Sequence, residues 1–439
     1  MSPVFTAVET FDVRFPTSDE FHGSDAMHPD PDYSAAYVIL RTDAPGGESG
    51  HGYAFTLGRG NEVQTAAIKS LAPLVVERSV EATFADMGAF SRKLMSDGQL
   101  RWLGPDKGVA QMAVAAIVNA AWDLYARRLG KPLWKVLADM SPEQIVSLVD
   151  FHYLTDAITP DEALALLREK EATKPQRELE IIRSGYPAYT TSAGWLGYSD
   201  DVIRARLQNA VEEGWTHAKL KVGRSLEEDV RRCRIARDVL GPNRKLMLDA
   251  NQRWSVQEAI DNMKVLAQFD PLWIEEPTHP DDLLGHQAIA RAIAPIGVAV
   301  GEHIPNRIVF KQLLQSKVIA FCQIDACRSG GVSDVVATLL LAAKFGTPVC
   351  PHAGGVGLCE AVQHFSIFDY IAVSGSAENR LLEYVDHLHE HFVDPVFVNG
   401  ARYAVPIKPG FSTECYSDTL AQYEYPSGAA WQRQRAGPL

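Results

Sequence analysis

At 439 residues the chain is too long for one ordinary domain, and its 46% hydrophobic and 22% charged residues are typical of a globular protein. Its net charge of −13 argues against nucleic acid and anionic membranes as partners, because their phosphates would repel it. No run approaches the ~18 to 20 apolar residues of a membrane helix, and no secretion signal precedes the first strand, so we expect a cytoplasmic protein. The six cysteines lack CxxC spacing, which predicts buried free thiols.

The first part of the chain has the pattern of an α+β domain, which we place at residues 1–146. Polar and apolar residues alternate over 4–14 and 33–41, as in half-buried strands. The polar stretch between them, 16–31, is long for a hairpin connection and predicts a functional loop. The run 108–129 is apolar on most faces, which predicts a buried helix.

From about residue 147 to 404, predicted strands and helices alternate, one βα unit after another, as in a barrel. We predict strands at 147–154, 217–223, 245–251, 272–277, 298–303, 321–327, 347–353 and 380–385. We predict helices at 201–213, 226–239, 256–268, 285–292, 307–316, 332–345 and 358–370. The aromatic and Gly-rich stretch 185–198 is expected to be an insertion near the barrel mouth. The tail, 405–439, is expected to pack on the N-terminal domain.

Ionisable side chains stand at the ends of these predicted strands. Active sites of (β/α)8 barrels are assembled from residues at the C-terminal ends of successive strands. The pattern therefore predicts a metal-dependent enzyme that acts on a carboxylate substrate. The series is Lys219 and Lys221, Asp249, Glu275, Glu302, Asp325, His352 and Glu383.

Three successive strands end in carboxylates, Asp249, Glu275 and Glu302. Any one of them alone would be interpreted as an ordinary salt-bridged strand end. Three that converge on one barrel mouth cannot all stay ionised without a cation between them, and carboxylate oxygens suit Mg²⁺. Asn251 shares a face with Asp249 and could bind a ligand or a carboxylate. Glu276 points away from Glu275 and is expected behind the metal ligands.

Lys219 and Lys221 lie two residues apart, so both side chains point into the barrel. KxK alone would more often be a solvated strand end. Inside a barrel, two neighbouring ammonium groups, or one beside a metal, are expected to have a lowered pKa, and such a lysine can accept a proton.

Asp325 and His352 end consecutive strands, and an Asp that fixes one imidazole nitrogen frees the other for acid–base work. Glu383, if protonated, could donate a hydrogen bond to a developing oxyanion. The alternating histidines 387, 389 and 391 are expected to be a surface run rather than metal ligands.

In this order the residues resemble the mandelate racemase group of the enolase superfamily. That group carries KxK on strand two, Asp, Glu and Glu metal ligands on strands three to five, an Asp–His pair on strands six and seven, and Glu on strand eight. Residues 119–134 also resemble the helix that joins the family's capping domain to its barrel. The resemblance implies a modified TIM barrel, (β/α)7β, with an N-terminal α+β capping domain completed by the C-terminal tail, and a homo-oligomer.

The resemblance also implies a reaction. Mg²⁺ would bind the substrate carboxylate with Lys219, Lys221 would remove the C2 proton, and His352, oriented by Asp325, would protonate the departing 3-hydroxyl. Segments 23–27, 30–37, 100–105 and 189–198 resemble the L-fuconate dehydratases of the group, so L-fuconate is the expected substrate. Asp25, Tyr33 and Trp102 are then candidates for contacting the distal hydroxyls, together with Asn251 and Glu383 in the binding site.

Two alternatives stay open at this point. Lys221 and His352 would serve racemisation or epimerisation of a 2-hydroxy acid as well as dehydration, and another acid sugar could be the substrate. A barrel retained only for structure or binding should have lost at least one residue of the set, and every position is filled.

Overall fold

The chain opens with three antiparallel strands, in the order β1-β2-β3, in the computed structural model, which describes residues 2–435. Helices then pack on this sheet. Gly50 and Gly52 in the third strand let the longest helix approach closely, because a Cβ at these positions would lie only 2.0 and 2.3 Å from backbone oxygens of that helix. The strands are β1 Phe5–Arg14, β2 Ser34–Thr42 and β3 Ser49–Thr56. The helices are α1 Asn61–Leu71, α2 Val80–Ala85, α3 Met87–Met95, α4 Leu100–Leu103, α5 Gly108–Arg128, α6 Leu133–Asp139 and α7 Pro142–Ser147.

Helix α5 joins the N-terminal domain to the barrel. Among residues 2–435 it is the one helix long and apolar enough to cross a membrane, but 83% of its most apolar window is buried in the protein. The side chain of Asn119 donates to the carbonyl of Ala326 at 2.9 Å and accepts from the N–H of Val332 at 3.2 Å. The predicted buried helix is therefore confirmed, and it fixes the capping domain to the barrel.

The second domain is a parallel barrel whose last strand, β10, pairs with its first, β4. Its strands are β4 Tyr186–Thr190, β5 His217–Lys221, β6 Lys245–Asp249, β7 Pro271–Glu275, β8 Gly297–Val300, β9 Phe321–Cys322 and β10 Leu382–Tyr384. Its helices are α8 Pro160–Glu171, α9 Lys174–Ser184, α10 Asp200–Glu212, α11 Leu226–Leu240, α12 Val256–Leu266, α13 Leu283–Ile293, α14 Arg307–Gln315, α15 Val332–Phe345 and α16 Leu358–Phe368. The seven predicted barrel helices, α10 to α16, are confirmed, with boundaries that differ by no more than two residues.

The predicted first strand, 147–154, is wrong. Residues 142–147 form helix α7, whose N-terminus carries a capping box between Ser141 and Gln144, and turns follow it. The first barrel strand is β4, inside the stretch predicted as an insertion, and helices α8 and α9 precede it. The apolar side chains of Leu148, Val149 and Leu154 are buried, but in turns. A short apolar run does not by itself distinguish a strand from another buried segment.

Five of the other predicted strands begin within one residue of the observed strands but end too late, and the last, predicted at 380–385, is shorter at both ends. The ladder of β6 ends at Asp249 and that of β7 at Glu275. Asn251 and Glu276 then have φ angles of +43° and +39°, which turn the chain out of the sheet. At the seventh position, residues 347–353 form no regular strand; Val349 makes a single bridge to β9, and the N–H of His352 donates to the carbonyl of Ile324 at 2.9 Å.

The barrel interior is layered, because inward-facing residues recur every second position. An apolar layer consists of Tyr189, Met247, Trp273, Ala299, Phe321, Cys350 and Leu381. Two residues further along several of these strands come the polar side chains that were predicted as the site. All six cysteines are free and buried, as predicted.

The C-terminal segment returns to the N-terminal sheet. The hydroxyl of Tyr37 donates to the carbonyl of Thr413 at 3.1 Å and accepts from the N–H of Cys415 at 2.9 Å. The indole N–H of Trp431 donates to the carbonyl of Arg14 at 3.1 Å. Two further segments, β11 Val398–Asn399 and β12 Arg402–Tyr403, extend the barrel sheet, and helices α17 Ser417–Tyr423 and α18 Ala429–Arg435 complete the tail. The domain boundaries at residues 146 and 404 stay predictions.

The three alternating histidines are not a surface run. Their side chains are only 11–16% exposed, and His389 binds two acceptors: Nδ1 lies 2.6 Å from Glu360 and Nε2 2.6 Å from the carbonyl of Val385. Burial lowers the pKa of His389, but the Glu360 carboxylate outweighs it and raises the pKa to about 9. This ion pair holds the segment after β10 on helix α16.

We predict that His389 makes stability pH-dependent. Because its folded pKa is raised from 6.5 to about 9, its stabilising effect is complete below pH 6.5 and is lost as the pH rises to 9; the shift corresponds to about 3 kcal/mol. The difference in unfolding free energy between wild type and His389→Gln should shrink over that range in urea titrations. The exposed His152, changed to Gln, is the control. A difference that stays constant from pH 6 to 9 would contradict the prediction.

Candidate active site at the barrel mouth

The structure brings the polar strand-end residues together in one buried centre. Lys219 and Lys221 lie on β5, Asp249 ends β6 and Glu275 ends β7. Glu302 and Asp325 follow β8 and β9, His352 ends the seventh extended segment, and Glu383 lies on β10. Each of these eight residues is at most 8% exposed. Such burial of charge is costly unless the groups pair with each other or with an ion.

Three carboxylates form a candidate metal centre. One oxygen from each of Asp249, Glu275 and Glu302 lies within 4.8 Å of the others. Oε2 of Glu302 is buried without a hydrogen-bond partner. Burial and the neighbouring Asp249 raise the pKa of Glu275 well above its ordinary value, although Lys219 opposes this. The donors are hard oxygens with more negative charge than the site can hold alone, which fits a divalent cation such as Mg²⁺.

The two lysines are paired with these carboxylates. Nζ of Lys219 lies 2.6 Å from Glu275 and 2.9 Å from Glu383, and Nζ of Lys221 lies 2.5 Å from Asp249. Burial lowers both pKa values, but the adjacent carboxylates outweigh it and raise them above the ordinary lysine value. The lowered pKa predicted from two neighbouring ammonium groups is therefore wrong for this arrangement, because carboxylates lie within 3 Å of each ammonium. A lowered lysine pKa beside a bound metal stays a prediction.

His352 and Asp325 form the predicted pair, with Nδ1 of His352 2.8 Å from Oδ2 of Asp325. The other oxygen of Asp325 accepts from the N–H groups of Cys327 and Arg328 at 2.6 and 2.8 Å, which fixes the carboxylate. Burial lowers the pKa of His352, but Glu302 and Asp325 outweigh it and raise the pKa to about 9. His352 is therefore a cation near neutral pH, with Nε2 3.4 Å from Glu302.

Glu383 is an acceptor in this arrangement. One oxygen accepts from the hydroxyl of Thr191 at 2.5 Å, and the other accepts from the N–H of Ala353 at 2.7 Å. Burial would raise its pKa, but Lys219 and His352 lower the pKa below the ordinary value. The expected protonated Glu383, as a donor to an oxyanion, is therefore not the state that these contacts favour.

A cleft of about 520 Å³ opens above this centre, between the capping domain and the barrel. The predicted loop 16–31 supplies part of its wall, including Asp25, whose Oδ1 accepts from the N–H groups of Met27 and His28 at 2.7 Å. The ring of Trp195 lies beside Lys221, whose Nζ is 5.5 Å from the ring centroid. The lining residues are Gly23, Asp25, His28, Tyr33, Phe55, Thr56, Leu57, Trp195, Lys221, Asn251, Glu302, His303, Arg328, His352 and Gly354.

Comparison with known proteins gives the family. Residues 27–138 match the mandelate racemase / muconate lactonizing enzyme N-terminal domain, and residues 202–419 match the enolase C-terminal domain-like family. An L-galactonate dehydratase from Hypocrea jecorina is 51% identical over 433 residues, which cover 97% of this chain and 95% of that protein. The chain belongs to the enolase superfamily.

Solved structures of this superfamily share the fold. The crystal structure of human mitochondrial enolase superfamily member 1 has a TM-score of 0.97 and 53% identity, with 99% of each chain covered. The L-talarate/galactarate dehydratase from Salmonella typhimurium, liganded with Mg and L-lyxarohydroxamate, has a TM-score of 0.73 and 24% identity, with 95% of this chain and 92% of that chain covered. The modified barrel with its capping domain is thereby confirmed.

Of the predicted substrate-contacting residues, Lys219, Glu383 and Trp102 are absent from the cleft lining; Lys219 and Glu383 are buried beneath it, whereas Trp102 points to solvent. It lies on the short helix α4, 92% exposed, and is not in the cleft lining. The resemblance of segment 100–105 made Trp102 a candidate for substrate contact but carried no information on the direction of its side chain. Asp25, Tyr33 and Asn251 do line the cleft.

Several other residues that line this enolase-superfamily cleft were not predicted from the sequence. His303 and Arg328 each follow a strand-end carboxylate directly or within three residues, and that position was a usable signal. Phe55, Thr56 and Leu57 come from the end of β3 in the other domain. Only the docking of the two domains brings them to the site.

Proposed function

We propose that this chain is a Mg²⁺-dependent acid-sugar dehydratase that converts L-fuconate to 2-keto-3-deoxy-L-fuconate and water. The observation that carries the proposal is the placement of Lys221 against Asp249 and of His352 against Glu302, at 2.5 and 3.4 Å. A base and a protonated acid thus reach one carboxylate cluster from different strands. Such a pair can remove a proton from C2 and protonate a leaving group at C3.

Asp249, Glu275 and Glu302 would hold the metal. When bound, Mg²⁺ supplies positive charge that acidifies the C2–H next to a bound carboxylate and offsets the negative charge that raises the pKa of Lys221. The Mg in the Salmonella typhimurium enzyme described above supports this assignment.

The protein residues divide the remaining work. Lys219 neutralises the substrate carboxylate, and Glu383 holds Lys219 in place at 2.9 Å. Lys221 takes the C2 proton at Nζ, and the C2–H electron pair moves into the substrate carboxylate to give an enediolate, which can regain a proton at C2. The enediolate electrons then form the C2–C3 double bond as the C3–O bond breaks. His352 gives its Nε2 proton to the departing hydroxyl, which leaves as water. Asp325 stabilises and orients the imidazolium. The enol product then tautomerises to the 2-keto acid.

L-Galactonate is the second candidate substrate, favoured by the relative at 51% identity whose name specifies it. L-Fuconate is L-galactonate without the 6-hydroxyl, so both present the same groups to Lys221 and His352. The cleft lining includes the apolar side chains of Phe55 and Leu57 and the carboxylate of Asp25. These groups favour a methyl or hydroxymethyl end over the second carboxylate of a galactarate. A cytoplasmic location and a homo-oligomer remain predictions.

A panel of acid sugars tests the proposal. We expect 2-keto-3-deoxy acid from L-fuconate and L-galactonate with Mg²⁺, no product after EDTA, and recovery when Mg²⁺ is restored. Galactarate is the dicarboxylate control and should react poorly. C2 deuterium exchange without keto acid would indicate racemisation instead. The absence of both product and exchange across the panel would overturn the proposal.

Lys221→Ala should abolish C2 deuterium exchange and lower dehydration by about 10²-fold or more, because a positioned base contributes that much. Proton NMR in D₂O with L-fuconate measures both. Lys408→Ala, at an exposed lysine, should behave as wild type. Substantial exchange in Lys221→Ala would remove this lysine from the role of base.

His352→Asn should block dehydration, again by about 10²-fold or more, because the hydroxide would leave without its proton donor. Exchange at C2 should persist, since Lys221 is intact. The exposed His152, changed to Asn, is the matched control. Normal keto-acid formation by His352→Asn would refute the assignment of His352 as acid.

A further inference from the structure

A second set of polar residues follows the three candidate metal ligands. Gln252 lies three residues after Asp249, Glu276 directly follows Glu275, and His303 directly follows Glu302. The three candidate metal ligands and these three residues thus come from the same three strand ends. Glu276 is fully buried, with a side chain 1% exposed, although it does not face the cleft.

Hydrogen bonds join these three residues into one network. Nε2 of Gln252 donates to Glu276 at 2.8 Å, and the N–H of Gln252 donates to the backbone carbonyl of Glu276 at 2.7 Å. Nδ1 of His303 lies 3.0 Å from both carboxylate oxygens of Glu276. Gln252 and Glu276 have φ angles of +67° and +39°, a conformation that non-glycine residues adopt where surrounding contacts hold it.

The network reaches the metal centre through His303, whose Nδ1 is also 3.3 Å from Oε1 of Glu302. Glu302 has two other side-chain neighbours: Nδ2 of Asn251 is 3.5 Å from the same oxygen, and Nε2 of His352 is 3.4 Å from Oε2, which is buried without a hydrogen-bond partner. Of the two side chains near Oε1 of Glu302, His303 is the closer, and it is the one held by the buried Glu276.

We propose that Glu276 and His303 are positioning residues: Glu276 fixes the imidazole of His303, and His303 fixes the Glu302 carboxylate in the orientation that binds the divalent cation. This inference rests on the Mg²⁺ site of the proposed function. Partners that orient a metal ligand typically change metal affinity by about 10- to 100-fold when they are removed. The network thereby sets how tightly the barrel mouth holds its metal.

The same atoms allow a competing interpretation. Glu276, Glu302 and His303 offer ligand atoms within 4.8 Å of one another, so they could bind a second cation directly. The two interpretations differ in stoichiometry. Positioning residues leave one Mg²⁺ per chain, whereas direct ligands would bind two.

Mg²⁺ titration of the full chain by calorimetry, without substrate, tests the inference. We expect His303→Leu and Glu276→Gln to weaken Mg²⁺ binding by about 10- to 100-fold at an unchanged stoichiometry of one. His303→Asn should restore most of the affinity, because the asparagine amide nitrogen occupies the position of Nδ1. The matched control is His389→Leu, which breaks a buried His–Glu pair away from the cleft and should lower Tm without changing the Mg²⁺ Kd.

Unchanged Mg²⁺ affinity in Glu276→Gln and His303→Leu would overturn the inference, and so would two Mg²⁺ per wild-type chain falling to one in His303→Leu. If His303→Leu fails to fold by circular dichroism, the contrast between Glu276→Gln and His303→Asn decides. If the wild type dehydrates no acid sugar but the variants bind Mg²⁺ more weakly than it does, the positioning role stands and the dehydratase proposal is refuted. If the wild type dehydrates an acid sugar but the variants bind Mg²⁺ as tightly as it does, the dehydratase proposal stands and the positioning role is refuted. A wild type that binds no Mg²⁺ would overturn both.

Discussion

The concentration of buried carboxylates at the barrel mouth is the constraint on which the rest of this structure depends. Asp249, Glu275 and Glu302 lie within a few ångströms of one another, and burial with this crowding raises the pKa of Glu275 well above its ordinary value. Carboxylates removed from water need opposite charge nearby. Lys219 and Lys221 supply part of it, and a divalent cation would supply the rest.

The same balance sets the protonation states around the cluster. The carboxylates hold both lysines and His352 in their charged forms, and those cations in turn keep Glu383 ionised. The protonation states of the proposed acid and base are thus set by one shared charge distribution rather than one residue at a time. A divalent cation held by these carboxylates would favour a neutral Lys221, while Asp325 would still stabilise the His352 imidazolium.

The shape of the mouth comes from where the strands stop. Hydrogen-bonded ladders end at Asp249 and Glu275, and the next residues turn outward through left-handed conformations at Asn251 and Glu276. At the end of β6 the turn places Asn251 in the cleft lining and leaves Gln252 outside it, bonded to the buried Glu276. Loop 16–31 and the end of β3 then complete the cleft wall from the capping domain.

The sequence by itself determined the barrel helices, the buried helix α5 and the identity of the central residues. Their signals are local: apolar periodicity defines the helices, and an ionisable residue after an apolar run marks each strand end. The misplaced first strand at 147–154 and the outward Trp102 show the limit of such signals, because burial in a turn and the direction of a side chain leave no mark in local composition.

Only the tertiary structure decided which groups share charge and which line the cleft. Lysine pKa values rise rather than fall because carboxylates from other strands lie within 3 Å of each ammonium. Phe55 and Leu57 join the site only through domain docking, and His303 gains its partner Glu276 only when two strand ends meet. Electrostatic energy depends on distances in space, and the order of residues along the chain does not contain those distances.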